Sequence, residues 1–280
     1  KDGVIENTLV DLKQMHIKFG QNPFDAQLQV KNLKDFPIKA ALKGKLNLAD
    51  INKMIPMEGL TMAGILEIDA KADGKYDSVR SIIPAMDLAV ILKDGVITTA
   101  ELSKPLEQLN VNLQVHNKSG LLKDTKIAVE QMDFSLDGQP FEASVNLENP
   151  ENFKWDANVK GQIDLEKIFQ IYPVEGVAAK GIINADLQSA GTMADVEAKR
   201  YRKLSTKGEV SVANFEYDYP EMGKTFSIAK ANTTFSERAI NLKELEGKAG
   251  ETSYTLKGKL NNYLGFFLNG ENLTGDLTAN

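Results

Sequence analysis

The sequence predicts an all-β chain with a few short helices, folded as an elongated, curved antiparallel sheet built from tandem repeats and forming an open groove. Two observations predict it. Apolar and polar residues alternate along most of the chain, the period that puts successive side chains on opposite faces of a strand. The stretch from Pro23 to Val79 also recurs, without a gap, 117 positions later. Lys43-Gly44 in KGKLNLADINKMIPMEG lines up with Lys160-Gly161 in KGQIDLEKIFQIYPVEG. The pairs Pro23/Pro140, Phe24/Phe141, Phe36/Phe153, Leu48/Leu165, Ile51/Ile168 and Pro56/Pro173 keep that offset, as do Glu58/Glu175, Gly59/Gly176, Gly64/Gly181, Asp69/Asp186 and Gly74/Gly191. At Leu256, LKGKLN repeats Leu42 to Asn47 letter for letter. Units copied in tandem rest on their neighbours and act through a long surface. The units are drawn at 1–117, 118–232 and a partial third at 233–280.

The elements follow in order. Phe24, Ala26, Leu28 and Val30 alternate with Asp25, Gln27 and Gln29, a strand with one dry and one wet face. In LADINKMIP the spacing turns helical: Leu48, Ile51, Met54 and Ile55 form the apolar stripe, Asn47 stands at the N-cap, and Pro56 stops the helix. Strand stripes return at Met86, Leu88, Val90 and Leu92, then at Leu109, Val111, Leu113 and Val115. Between Val129 and Met132 the alternation slips by one residue, which reads as a bulge. In the second unit Phe141, Ala143, Val145 and Leu147 precede Trp155, Ala157, Val159 and Ile163. LEKIFQIYP, with Leu165, Ile168, Phe169 and Tyr172, is capped by Asp164 and stopped by Pro173. A third helix is predicted over Met193 to Leu204, capped by Thr192, with Arg200, Arg202 and Lys203 at its C-terminal end where cations suit the macrodipole. Tyr254, Leu256 and Leu260 continue the strand pattern.

Two-turn helices are unstable alone and must lie on the sheet. About a dozen strands ~4.8 Å apart and ~17–20 Å long give a dry face of roughly 1,000 Å². A two-turn helix, ~12 Å by ~10 Å, leaves most of that face bare, whereas a soluble monomer seldom shows more than ~300–600 Å² of continuous apolar patch. Closure into a sandwich or barrel is the commonest way to hide such a face. Stacked repeats favour a lengthening trough instead, to be covered by a partner or an apolar ligand.

Composition excludes several classes. The 280 residues carry a net charge of −6, which argues against wrapping a nucleic-acid backbone. The absence of cysteine excludes disulfides and thiolate metal sites. No run reaches the ~18–20 apolar residues that cross a bilayer, and Lys1 is not an initiator Met, so a trimmed or processed piece of a longer protein is expected. The C-terminal ENLTGDLTAN stops inside a repeat, which suggests that more protein follows. There is no Walker loop, HExxH or nucleophile elbow. His16 and His116 lie 100 residues apart, and His116 falls on the wet phase of its strand. Glu58/Glu175 read as turn residues and Asp69/Asp186 as polar-face residues, each pair split by a whole repeat. Gly44/Gly161, Gly64/Gly181 and Gly258 interrupt the dry stripes, where glycine lets a sheet bend or a helix come close. Neither catalytic residues, a cofactor nor a metal is expected.

The strand–helix–Pro block KGKLNLADINKMIPMEG and its partner KGQIDLEKIFQIYPVEG resemble the AsmA family of bacterial envelope proteins. GEVSVANFEYDYP and the stretch from Thr225 to the end resemble the C-terminal region of AsmA-like proteins of the Bacteroidetes, through Gly208, Tyr217, Ala231, Phe235, Gly250 to Ser253 and Gly258 to Leu264. The resemblance covers nearly the whole chain, and its ordered set of pieces is more specific than any one motif. It implies a periplasmic β-groove anchored to the inner membrane by a segment absent from this sequence, related to bridge-like lipid-transfer proteins and serving outer-membrane assembly. The partners expected are phospholipid or another acyl lipid, a membrane surface and envelope proteins.

On that reading the dry face holds acyl chains, each buried CH₂ gaining roughly 0.8 kcal/mol. The candidate lipid-facing residues are Leu28, Val30, Leu42, Leu66, Ile68, Leu88, Val90, Val111 and Leu113 in the first unit, and Val145, Leu147, Val159, Ile183 and Leu187 in the second. Lys199, Arg200, Arg202, Lys203 and Lys207, a basic cluster in an acidic chain, are the candidate contacts to lipid headgroups or a membrane surface. Each of these apolar residues fits a sealed core as well, and the basic ones fit a solvated helix end. The rival from another class is a structural or protein-binding β module with closed sheets.

Overall fold

The computed structural model describes residues 9–32, 36–100, 102–171, 179–219 and 224–280. Fifteen strands form one antiparallel sheet whose hydrogen-bonding order is the chain order. They are β1 (Val10–Phe19), β2 (Asn22–Val30), β3 (Pro37–Asn47), β4 (Leu60–Lys75), β5 (Ala85–Thr99), β6 (Leu106–Asn117), β7 (Lys126–Leu136) and β8 (Gln139–Glu148). Then come β9 (Lys154–Asp164), β10 (Ala179–Thr192), β11 (Ser205–Tyr219), β12 (Lys224–Phe235), β13 (Ala239–Ala249), β14 (Thr252–Asn261) and β15 (Thr274–Ala279). Among the described residues the order runs from β1 to β15, and these two strands are not paired with each other. No second sheet packs on it among the described residues.

Contacts divide the chain into two compact units. The first is Lys1–Ala100, Pro105–Ser135 and Ser144–Trp155; the second is Glu101–Lys104, Leu136–Ala143 and Asp156–Asn280. Burial is sparse. Only ten apolar side chains in the described residues fall into the buried class, and seven of them lie between Tyr201 and Tyr263 in the second unit.

Both capped helices form. In α1 (Leu48–Met54) the Asn47 side chain accepts from Ala49 N–H at 3.0 Å, and the chain leaves the helix at Ile55, just before Pro56. Asn52 then ties α1 to β4, accepting from Met62 N–H at 3.1 Å. In α2 (Leu165–Ile171) Asp164 accepts from Lys167 N–H at 3.4 Å. Pro173, Glu175 and Gly176 lie outside the described residues. A further helix, α4 (Tyr263–Asn269), follows the LKGKLN of β14, so all three copies of that strand run into a helix.

The helix predicted over Met193 to Leu204 is broken. Helix α3 spans only Met193–Glu197, and a 3-10 turn follows at Tyr201–Lys203. Lys199 takes a left-handed φ of +55° and Arg200 N–H reaches Asp195 O at 2.7 Å, a Schellman-type end. Burial of Tyr201 and Leu204 holds the redirected chain. The basic residues therefore do not line one helix end.

The recurrent glycines have two separate causes. Phe24 is the cross-strand partner of Gly44, and a Cβ on Gly44 would run into the Phe24 ring. In the second copy a Cβ on Gly161 would stand 2.8 Å from the Phe141 ring. The aromatic ring lies over the glycine in both repeats, which explains why Pro-Phe and Lys-Gly recur together. Gly64 and Gly181 sit at register shifts, with φ of +115° and +128°. Opposite each, Asp94 and Asn214 are left-handed as well. Two residues of the facing strand, Asp94-Gly95 in β5 and Asn214-Phe215 in β11, thus stand against one glycine: these are matching β-bulges on β5 and β11, and the φ of the glycine opposite each is one that only glycine takes without strain. In β7, Glu130 and Gln131 are both exposed, in keeping with the slipped alternation there.

Gly64→Ala and Gly181→Ala are each expected to cost about 1–3 kcal/mol through backbone strain, and Asn47→Ala about 1 kcal/mol through loss of the cap. Urea unfolding monitored by circular dichroism measures all three; a glycine variant as stable as the parent would contradict the bulge assignment.

Candidate functional site

Residues paired across neighbouring strands share a face, so the register writes out the sheet's surface. In the first unit one row runs Ile17, Phe24, Gly44, Ile68, Val90, Leu113 across β1 to β6. The next row is Met15, Ala26, Leu42, Ala70, Leu88, Val115. In the second unit Ile183, Val212, Ala231, Leu245, Leu256 and Ala279 run across β10 to β15. Each six-strand row spans roughly 24 Å. That exceeds the ~15 Å occupied by one leaflet of a bilayer's ~30 Å hydrocarbon core.

Of the fourteen candidate lipid-facing residues, Val30 is buried and Val159 is exposed, while the other twelve are half-buried. They are neither sealed as in a two-layer core nor bare. The register brings Ile68, Val90 and Leu113 into one row, Leu42 and Leu88 into the next, and Leu66 and Val111 into a third with Leu92. Leu28 pairs with Ala40, and Val30 with Ile38. Ile183 and Leu187 head separate rows of the second unit. Val145 and Leu147 lie on β8. The helices cover little of this face: α1 packs on β3 and β4, yet Met54 and Ile55 remain 62% and 63% exposed.

The opposite face is a lattice of charge. Lys43 and Asp69 pair at 2.8 Å, Lys45 and Glu67 at 3.1 Å, Lys230 and Glu244 at 2.7 Å, and Lys243 and Glu209 at 2.9 Å. Hydrogen bonding to Lys43 holds the Asp69 carboxyl below the usual carboxylate range. Both histidines stand on this face beside an aspartate of the adjacent strand, His16 with Asp25 at 2.7 Å and His116 with Asp87. Glu58 is an exposed turn residue. Among the described residues no group of three or more His, Asp or Glu could hold a metal ion.

Three troughs among the described residues open on the charged face. One of about 1010 Å³ in the second unit is lined by Lys160, Asn184, Asp186, Glu209, Asn232 and Glu244, among others. Two in the first unit, of about 600 and 500 Å³, are lined by Lys39, Lys71 and Asp73, and by Lys43, Glu67 and Asp69. Of the fourteen apolar candidates, only Leu28 and Ile68 border one of these three. Sequence reasoning missed these troughs, because alternation identifies the faces but not the direction in which each bends.

The basic cluster is partly neutralised within the fold. The Arg200 guanidinium donates to Asp195 at 2.7 Å, Lys203 approaches the same carboxylate at 3.8 Å, and Lys207 pairs with Glu237 at 3.3 Å. Lys199 and Arg202 are exposed and, among the described residues, carry no ion pair. Arg200 first, and then the Thr192 hydroxyl, hold the Asp195 carboxyl below its usual range. Helix α4 escaped the sequence reading because YLGFFLN has no polar face to mark helical spacing. It is anchored by Tyr263, which is buried, donates to Ser236 O at 3.1 Å and meets the Phe235 ring edge-on at 5.6 Å.

No helix among the described residues is long and apolar enough to cross a membrane. No family model matches the chain, and no curated protein or solved structure matches it either.

A depressed carboxylate stabilises the fold above its unfolded-state pKa, near 3.9 for aspartate, and that contribution is lost as pH falls through the folded value. Asp195→Asn should therefore lower the melting temperature at pH 7, and that deficit should shrink as pH falls from about 3.9 toward and through the folded value. Scanning calorimetry across that range checks this; a deficit that stays constant as pH falls would show that the loss is not electrostatic.

Proposed function

We propose that this chain is a non-enzymatic lipid-binding module of an AsmA-like protein, supporting outer-membrane assembly from the periplasm by holding or passing acyl lipid. The observation that carries the reading is the continuous apolar face, which crosses six strands in each unit and stays half-exposed. Rows of non-directional side chains hold an acyl chain at any point along their length, and each methylene removed from water gains roughly 0.8 kcal/mol. The headgroup stays in water at the margin. In this reading Lys199 and Arg202, the two members of the basic cluster that carry no ion pair among the described residues, attract anionic headgroups or an anionic membrane surface. Inner-membrane attachment comes from a segment outside this sequence, as the AsmA resemblance implies.

A second reading has its own observation. The concavities on the charged face, lined by carboxylates, lysines and amides, suit a polar partner rather than an acyl chain. They favour a structural or protein-binding β module of the envelope. The two readings use opposite faces and separate experimentally.

Native mass spectrometry of the purified protein is expected to show co-purified phospholipid. Val90→Asp and Ile183→Asp should remove it, while a charged-face change such as Asp186→Asn should not. Photocrosslinkers at positions 90 and 183 should yield lipid adducts in cells. Lipid-free protein, together with protein-only adducts at both positions, would replace the lipid reading with the scaffold reading. Binding to vesicles containing anionic phospholipid should fall on combining Lys199→Glu with Arg202→Glu, at about 1 kcal/mol per charge removed from the surface; unchanged binding removes the headgroup role.

A further inference from the structure

The chain has four arginines. Arg80 lies beside Asp77 at 3.7 Å, and Arg200 donates to Asp195 at 2.7 Å. Arg202 and Arg238 are exposed and carry no ion pair among the described residues. Both of these unpaired arginines line one cleft of about 360 Å³ in the second unit. Elsewhere in that unit cations face carboxylates, as Lys230 faces Glu244 and Lys243 faces Glu209. Two guanidinium groups left over at one place, in a chain of net charge −6, point to a ligand that is not part of the chain.

The cleft is built from anchored elements. Arg238 sits in the turn between β12 and β13, where the Ser236 N–H and hydroxyl both donate to Ala239 O, at 2.9 and 3.0 Å. The two residues that follow it, Ala239 and Ile240, are buried. Arg202 sits in the 3-10 turn between Tyr201 and Leu204, both buried, and the Leu204 N–H reaches Tyr201 O at 3.1 Å. Tyr263 joins the walls, since its hydroxyl bond to Ser236 O ties α4 to the β12–β13 turn. Both cations are thus carried on backbone that is fixed before any ligand arrives, which lowers the entropic cost of binding. Neutral donors complete the lining: Asn261 and Thr274 are cross-strand partners, and both border the cleft. The carboxylate in the lining, Glu237, is paired with Lys207 at 3.3 Å, so the excess charge of the cleft is positive.

We propose that this cleft binds a phosphate group, carried either on the headgroup of an anionic lipid or on a small soluble ester. A guanidinium keeps its charge at any physiological pH, and its rigid fork matches two phosphate oxygens at once. Two forks and two neutral donors meet a tetrahedral anion from several sides, whereas a planar carboxylate occupies one fork and leaves the other unused. The volume stands near the lower end of the range for small-ligand sites. It suits a phosphate with a short polar substituent, and acyl chains stay outside it. The site shares Arg202 with the headgroup role proposed above, adds Arg238, and needs no acyl chain on the apolar face.

Inorganic phosphate and glycerol 3-phosphate are the soluble probes, followed by isothermal titration calorimetry. Vesicles of phosphatidylcholine with and without phosphatidate are the membrane probes, followed by co-sedimentation. Arg202→Gln and Arg238→Gln should each weaken binding roughly tenfold, the effect of losing a hydrogen bond between charged groups. Arg80→Gln should leave it unchanged. Arg238→Lys keeps the charge without the fork and should restore only part of the affinity. Neither cleft arginine has a carboxylate partner, so these variants should keep the unfolding midpoint of the parent. Binding of the soluble probes assigns a soluble ester as sufficient, and binding of phosphatidate vesicles alone assigns the lipid headgroup; either result supports the cleft when it depends on Arg238. No binding of any probe, binding indifferent to both glutamine variants, or an equal loss in Arg80→Gln would overturn the proposal. The soluble probes carry no acyl chain, so co-purified lipid decides the earlier reading and leaves this one to its own result.

Discussion

The antiparallel backbone ladder is the interaction on which everything else in this molecule depends. Few side chains are fully buried, so no two-layer core holds the strands in place; each is held by hydrogen bonds to its chain neighbours and by half-buried rows on one face. The consequence is local. A strand contacts the strands before and after it, and damage in one place is shared with few others. What burial there is gathers around Tyr201, Leu204, Ile240 and Tyr263, where the short helices α3 and α4 and the 3-10 turn meet the sheet.

Two repeated devices keep this ladder continuous. One is the aromatic ring laid over a cross-strand glycine, Phe24 on Gly44 and Phe141 on Gly161, which restores apolar contact where the glycine supplies none. The other is a positive-φ glycine just beyond a short helix, Gly64 or Gly181, facing the extra residue of a bulge on the neighbouring strand. A bulge raises local twist, so its recurrence at equivalent places gives both repeats the same local turn.

The two faces divide the physical work. On the charged face, cross-strand lysine–carboxylate pairs are well exposed, and each contributes little stability in water. Their effect is to set register and keep that face wet. The apolar face has the opposite problem, since short helices leave most of it in contact with solvent. The proposed lipid on that face and a polar partner in the charged troughs would use opposite faces and not compete for the same atoms.

Much of this was legible in the residues. Alternation identified the strands and sorted Leu28, Val90 and Ile183 onto the apolar face, because a period of two leaves a strand no other way to place them. Asn47 and Pro56 marked α1 because a cap and a stop act locally. The fate of Met193 to Leu204 was not legible: a left-handed Lys199 and the burial of Tyr201 outweighed the helical spacing, and both depend on what packs nearby. Nor could alternation say which face would be concave, since curvature comes from bulges and twist summed over many strands. The sequence by itself determined the strands, their faces and their repetition, all consequences of local periodicity. Only the tertiary structure decided that the described strands pair in chain order and that three troughs open on the charged side, because that depends on the long-range pairing of strands and the bend each bulge adds.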